Sequence, residues 1–177
     1  GKTLGILGLG SIGQRVAQFG QVFGMKVIAW SENLTAERAE QAGVTYVSKQ
    51  QLFEQADVLS VHLVLSERSR GLVDAQALGW MKTTALLVNT ARGPIVDEAA
   101  LIKALQKQQI AGAALDVFEQ EPLPAMHPFR TLDNVLATPH VGYVSRQNYE
   151  QFFSQMIEDV QGWAAGEPQP VQQAPLP

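Results

Sequence analysis

At 177 residues, with 46% hydrophobic and 17% charged side chains, the chain has the size and make-up of a folded domain with a real core. A net charge of −4 without any basic cluster argues against nucleic acid as a partner, and no apolar run approaches the roughly 20 residues of a membrane helix. The absence of cysteine excludes disulfides, thiolate metal sites and a cysteine nucleophile; it fits a reducing, cytoplasmic setting, and no metal is expected.

The start, Gly1-Lys2-Thr3, does not resemble a secretion signal, and a short β-leaning strand over residues 3–7 begins at once, as though an upstream segment were missing. Gly8-Leu9-Gly10-Ser11-Ile12-Gly13 follows, and then Ile12, Val16, Phe19 and Phe23 recur at the spacing of an amphipathic helix. Glycines where a strand turns into a helix suit a dinucleotide. Gly8 permits the tight turn, Gly10 has no side chain to block a pyrophosphate, and Gly13 lets helix and strand pack closely. The helix N-terminus adds free N–H groups and positive potential.

Residues 26–30 read as the second strand, whose end should lie beside the adenosine ribose. An acidic residue there normally selects NAD; here Ser31 stands at that place, with Glu32 next to it. Asn33, Thr35 and Arg38 are candidate phosphate contacts, so NAD is expected and NADP stays open.

Residues 35–42 suggest a helix with Thr35 as N-cap and Gly43 as its stop, then a brief strand over 44–47. Ser48 caps a helix over 49–55. Residues 57–63 form a near-continuous apolar run, as a strand covered on both faces would. A helix over 72–81 and a buried strand over 85–89 come next. Asp97 opens a helix with Ala100, Leu101, Ala104 and Leu105 facing inward, and residues 110–117 read as a strand. Residues 119–130 form a loop broken by Pro122, Pro124 and Pro128, followed by a last strand over 135–138. Phe152, Phe153, Met156, Ile157, Val160 and Trp163 mark a final helix. Alternating strands and helices predict an α/β fold: a Rossmann-type, doubly wound parallel sheet in one three-layer domain over residues 1–165, with a disordered Pro- and Gln-rich tail over 166–177.

Open α/β sheets bind ligands at the carboxyl ends of their strands. Arg92, Glu121 and His140 fall just past such ends. An arginine matches a carboxylate with two parallel hydrogen bonds. A histidine exchanges a proton near neutral pH, and a carboxylate orients the imidazole and stabilises its protonated form. Together beside a nicotinamide they suit oxidation of a 2-hydroxy acid. Arg92 bound to turn carbonyls, a solvated Glu121 and an idle His140 are the plainer alternatives. His62 and His127 read as structural or surface residues; Asp116 is either a cap or a partner for the nicotinamide carboxamide.

The motifs resemble the nucleotide-binding domain of the D-2-hydroxyacid dehydrogenases, the family of phosphoglycerate, D-lactate and formate dehydrogenases and of glyoxylate/hydroxypyruvate reductases. The matching stretches are the glycine loop, Asn89-Thr90-Ala91-Arg92-Gly93 through Val96-Asp97-Glu98, Ala114-Leu115-Asp116-Val117-Phe118-Glu119-Gln120-Glu121-Pro122-Leu123, and Thr138-Pro139-His140-Val141-Gly142. The resemblance implies that Arg92 binds the substrate carboxylate, His140 is the acid/base and Glu121 is its carboxylate partner. It places Gly10, Ser11 and Ile12 along the pyrophosphate, Thr90, Ala91 and Asp116 near the nicotinamide, and His62, Leu63 and Val64 at the cleft border, with Arg92, His140 and Gly142 beside the cofactor. Formate dehydrogenases carry glutamine where Glu121 stands, which argues against formate.

The chain departs from the family at Ser31, which replaces the usual aspartate, and at Tyr143, where many members have a small residue. The family inserts this domain into a substrate domain built from both chain ends, and that domain is absent here, so the fragment is expected to turn over poorly. A small 2-hydroxy or 2-keto acid is the implied substrate and a homodimer through this domain the implied assembly. An NAD(H)-responsive, non-catalytic module resembling the family's transcriptional corepressors is the alternative.

Overall fold

The computed structural model describes residues 1–167. The chain divides into two compact units, Gly1–His140 and Val141–Pro177. The tail expected over 166–177 lies, from residue 168 on, outside the described residues.

The first unit is built on seven strands: β1 (Thr3–Leu7), β2 (Lys26–Trp30), β3 (Thr45–Tyr46), β4 (Val58–Val61), β5 (Leu86–Asn89), β6 (Gly112–Leu115) and β7 (Val135–Ala137). They form one parallel sheet in the order β3-β2-β1-β4-β5-β6-β7. The sequence order reverses between β1 and β4, which is the Rossmann-type arrangement and opens a crevice at the carboxyl ends of those two strands.

The helices are α1 (Ser11–Val22), α2 (Ala36–Gln41), α3 (Lys49–Gln55), α4 (Ala75–Trp80) and α5 (Glu98–Gln106). Side chains alternate across the strands. Leu4 and Ile6 of β1, with Val27 and Ala29 of β2, share one apolar cluster with Ala17 of α1 and Ala39 of α2. Leu7, Ile28, Leu59 and Leu87 point the other way, into a cluster with Leu52 and Phe53 of α3, Leu78 of α4 and Leu101 and Leu105 of α5. Two buried layers of this kind account for the unbroken apolar strands.

Two expectations are corrected. Most of the apolar row of α1 does not face the sheet: Ile12, Phe19 and Phe23 are exposed, Val16 is half-buried against the β1–β2 cluster, and the buried face is Gly13, Ala17 and Gly20. Small residues there let the helix lie close on β1; a Cβ on Gly20 would stand 2.5 Å from Leu4. The helix expected from residue 72 starts only at Ala75, because Val73 forms a parallel bridge with Val96 and Asp74 caps the helix by accepting from the Ala77 N–H.

The second unit carries α6 (Arg146–Ala164), capped by Ser145, which accepts from the Asn148 N–H. Phe152, Phe153, Met156, Ile157, Val160 and Trp163, the row that marked this helix in the sequence, are all exposed.

Candidate active site

The glycine loop leaves β1 at Gly8, whose φ of 103° is a region that side chains rarely adopt. A Cβ there would also stand 2.8 Å from the His62 carbonyl. Gly13 is equally constrained, since its Cβ would stand 2.1 Å from the Gly8 oxygen. Gly10 differs: a Cβ would meet nothing within 4 Å. The space above Gly10 is therefore open, and the fold does not itself require a glycine there. Gly10 is also the N-cap of α1 and supplies no side-chain hydrogen bond. Among the described residues, every other α-helix is side-chain capped, by Thr35, Ser48, Asp74, Asp97 or Ser145. The first turn of α1, including Ser11 and Ile12, thus offers N–H groups and positive potential to an open space, which fits a diphosphate.

A cleft of about 320 Å³ adjoins this loop, lined by Ile12, by His62, Leu63, Val64 and Leu65 after β4, and by Thr90, Ala91 and Arg92 after β5. His62 is mostly buried, which holds its imidazole below the ordinary histidine value and so neutral, and its Nε2 lies 2.8 Å from the Ser60 hydroxyl. Ser31 and Glu32 follow β2 in a turn closed by the Leu34 N–H donating to the Ser31 carbonyl; Ser31 is half-buried and Glu32 exposed.

Arg92 is placed by Asn89, which is 1% exposed at the end of β5. Its Oδ1 accepts from the Ala91 N–H (3.0 Å) and its Nδ2 donates to the Arg92 carbonyl (3.0 Å). The Arg92 guanidinium is exposed and donates to the Ala91 carbonyl (2.6 Å), so one feature of the plainer reading is present. That bond uses one nitrogen of a five-donor fork. Gly93 allows the turn to press on the next loop: its Cβ would stand 2.0 Å from the Phe118 carbonyl carbon.

Glu121 and His140 meet. Glu121 Oε2 and His140 Nδ1 lie 2.6 Å apart, and Glu121 Oε1 accepts from the Phe118 N–H (3.0 Å). Partial burial opposes ionisation of Glu121. The His140 bond, the Phe118 N–H and the positive charges of His140 and Arg92 outweigh it, holding the carboxyl below its ordinary value. His140 is in the left-handed region at φ 54°, a conformation costing a non-glycine residue about 1–3 kcal/mol. Its backbone N–H donates to the Thr138 carbonyl, and the Thr138 hydroxyl donates to Asp116 Oδ1 (2.5 Å). Asp116, buried past β6, is thus tied into the turn that presents His140. Gly142 lies in the turn that opens the second unit, where the Val144 N–H donates to the Val141 carbonyl (2.9 Å).

Sequence reasoning missed Asn89, although an asparagine ending a buried strand before a turn was a usable signal. It also missed the pairing of Glu98 with His127 (3.0 Å), residues 29 apart with no local pattern linking them.

The family model for the NAD-binding domain of D-isomer specific 2-hydroxyacid dehydrogenases matches residues 1–142. A glyoxylate reductase from Aeropyrum pernix is 44% identical over 170 residues, 96% of this chain and 51% of that protein. The solved phosphoglycerate oxidoreductase from Vibrio cholerae O395 is 44% identical with a TM-score of 0.88, over 94% of this chain and 53% of that one. The D-lactate dehydrogenase from Aquifex aeolicus, solved with NAD and lactic acid, is 31% identical with a TM-score of 0.81, over 94% of this chain and 54% of that one. The chain spans about half the length of the first of these relatives.

Proposed function

The chain belongs to the D-isomer specific 2-hydroxyacid dehydrogenases as their NAD-binding domain, and from that premise we propose that it serves the interconversion of a small 2-keto acid and its D-2-hydroxy acid. The glycine loop, the first turn of α1 and the cleft after β4 and β5 would hold the dinucleotide. NAD in its reduced form supplies the hydride that the carbonyl carbon must receive.

This chain's residues bind and move the proton. Arg92 holds the substrate carboxylate and draws electron density from the neighbouring carbonyl. His140, engaged at Nδ1 by Glu121, uses Nε2 to give a proton to the carbonyl oxygen in reduction and to take it back in oxidation. Glu121 stays ionised throughout, fixes the ring and stabilises the imidazolium. Ser31 carries no charge to repel a 2′-phosphate, so we extend the proposal to NADPH as an alternative donor.

The 2.6 Å contact between Glu121 and His140, beside the Arg92 turn, carries this reading. Steady-state turnover of a panel of 2-keto acids by the intact protein, with NADH and NADPH in parallel, tests it. Turnover lost in His140→Ala supports it. NADH binding without turnover of any keto acid refutes it and leaves a nucleotide-responsive module. We also propose a homodimer, as the family resemblance implies; sedimentation equilibrium showing a monomer rejects that part.

A further inference from the structure

Glu98 opens α5 beside the N-cap Asp97, where a carboxylate already suits the helix dipole. It does more than that. Its Oε2 accepts from the Glu119 N–H (3.2 Å), and its Oε1 lies 3.0 Å from His127 Nε2. Both side chains are largely enclosed, at 19% and 13% exposure. His127 Nδ1 accepts from the Phe129 N–H (3.2 Å), so Nδ1 carries no proton and Nε2 does. The Nε2 hydrogen is therefore aimed at Glu98, and the ring is held at both nitrogens.

Residues 119 and 127 are the two ends of the loop that carries Glu121, and Glu98 holds both. Arg130, just past the loop, ties back to it, its guanidinium donating to the Leu123 and Pro124 carbonyls (2.8 and 2.9 Å). A second line of contact runs in parallel. The His127 ring packs on Phe129 (4.8 Å), and Phe129 packs on Phe118 (6.2 Å), whose N–H donates to Glu121. Phe118 in turn is the residue that the Arg92 turn presses against.

We infer that Glu98 and His127 are a positioning pair, which clamps the loop so that Glu121 meets His140 at hydrogen-bond distance. The inference rests on the proposed acid/base role of His140. Without the clamp the loop fluctuates, the Glu121–His140 contact is made only part of the time, and proton transfer slows while the dinucleotide loop is untouched.

The test compares Glu98→Ala, Glu98→Gln and His127→Gln with the parent in the intact protein. It measures kcat, KM for NADH, thermal stability and the downfield proton resonance of His140 Nδ1–H. Glu98→Ala is expected to lower kcat about tenfold or more with KM for NADH within twofold, and to broaden that resonance. His127→Gln, whose amide can still donate to Glu98, is expected to retain most of the parent's rate. Should Glu98→Ala not fold, Glu98→Gln keeps the shape while turning one acceptor into a donor, and a severalfold fall in kcat is expected. Unchanged kcat and an unchanged resonance in the folded variants overturn the inference, as does a loss of stability alone. If the parent turns over no keto acid, the proposed function fails, while the resonance still decides whether Glu98 and His127 position the Glu121–His140 contact.

Discussion

The two ends of the sheet each carry a carboxylate bonded to a backbone N–H and to a basic side chain. At the amino edge, Asp57 Oδ2 accepts from the Thr3 N–H (2.7 Å) and Oδ1 from Lys82 Nζ (3.0 Å), while Lys82 also donates to the Gln55 carbonyl. At the carboxyl edge, Glu121 accepts from the Phe118 N–H and pairs with His140. Both carboxyls are held below their ordinary values, Asp57 first by the Thr3 N–H and then by Lys82. The partners separate their roles. A lysine ammonium stays charged near neutral pH, so the Asp57 group is a fastening between strand starts. An imidazole exchanges its proton there, so the Glu121 group can take part in a reaction. Similar bonding serves structure at one end and, under the proposed function, chemistry at the other, because of where parallel strands end and which base lies opposite.

The largest effects belong to the carboxyl edge. His140→Ala should lower kcat/KM for a 2-keto acid about 10²–10⁴-fold, the usual worth of general acid–base catalysis. Asp57→Asn should leave that constant unchanged, and an equal loss in both would break the contrast. Arg92→Lys keeps the charge and loses the fork. It should raise KM for the keto acid about 10–100-fold, on the basis of about 1.5–3 kcal/mol for a hydrogen bond to a charged group. An unchanged KM would return Arg92 to its turn carbonyl.

The amino half was the more legible part of the sequence. The β2 and α3 limits and the Thr35 and Ser48 caps stand where local signals put them, since short-range chemistry decides each. The spacing in α1 marked a helix without showing which face approaches β1; that close approach was decided by Gly13, Ala17 and Gly20. Val73 was lost to a bridge with Val96 that no window around residue 72 contains. At the site, Arg92, Glu121 and His140 were visible through their motifs. Asn89, which shapes the Arg92 turn, acts locally and left a usable signal, whereas Glu98 and His127 pair across 29 residues with no local pattern.

Gly10 and Gly13 sharpen the comparison within a single loop. Gly10→Ala adds a Cβ that meets nothing, so thermal stability should hold while NADH affinity falls about tenfold, because the methyl enters the space a pyrophosphate needs. Gly13→Ala drives a Cβ onto the Gly8 carbonyl, so stability should fall. Calorimetric titration with NADH alongside thermal melts separates the two, and a Gly10→Ala protein with unaltered affinity would remove the diphosphate from this loop.

The smallest effect is on stability at acid pH. A carboxyl whose folded value is depressed contributes its stability above the unfolded value, and loses it as pH falls through the lower folded value. Asp57 should therefore stabilise fully at neutral pH and progressively less below the ordinary carboxylate range. Asp57→Asn keeps one acceptor, for the Thr3 N–H or for Lys82, and loses the charge. Lys82 is 39% exposed, so solvent screens much of that loss, and the remaining cost is about 1 kcal/mol, near 2–4 °C in Tm for a chain of this size. The difference from the parent should be largest near pH 7 and vanish toward the acid end, with activity unchanged throughout. Glu121→Gln should show the same sign of pH dependence, with a smaller stability difference because burial there opposes the charged form, but with the rate lost at every pH. A melt series in which Asp57→Asn tracks the parent in parallel from neutral to acid pH would show that this fastening draws nothing from its charge, and the contrast would then rest on geometry alone.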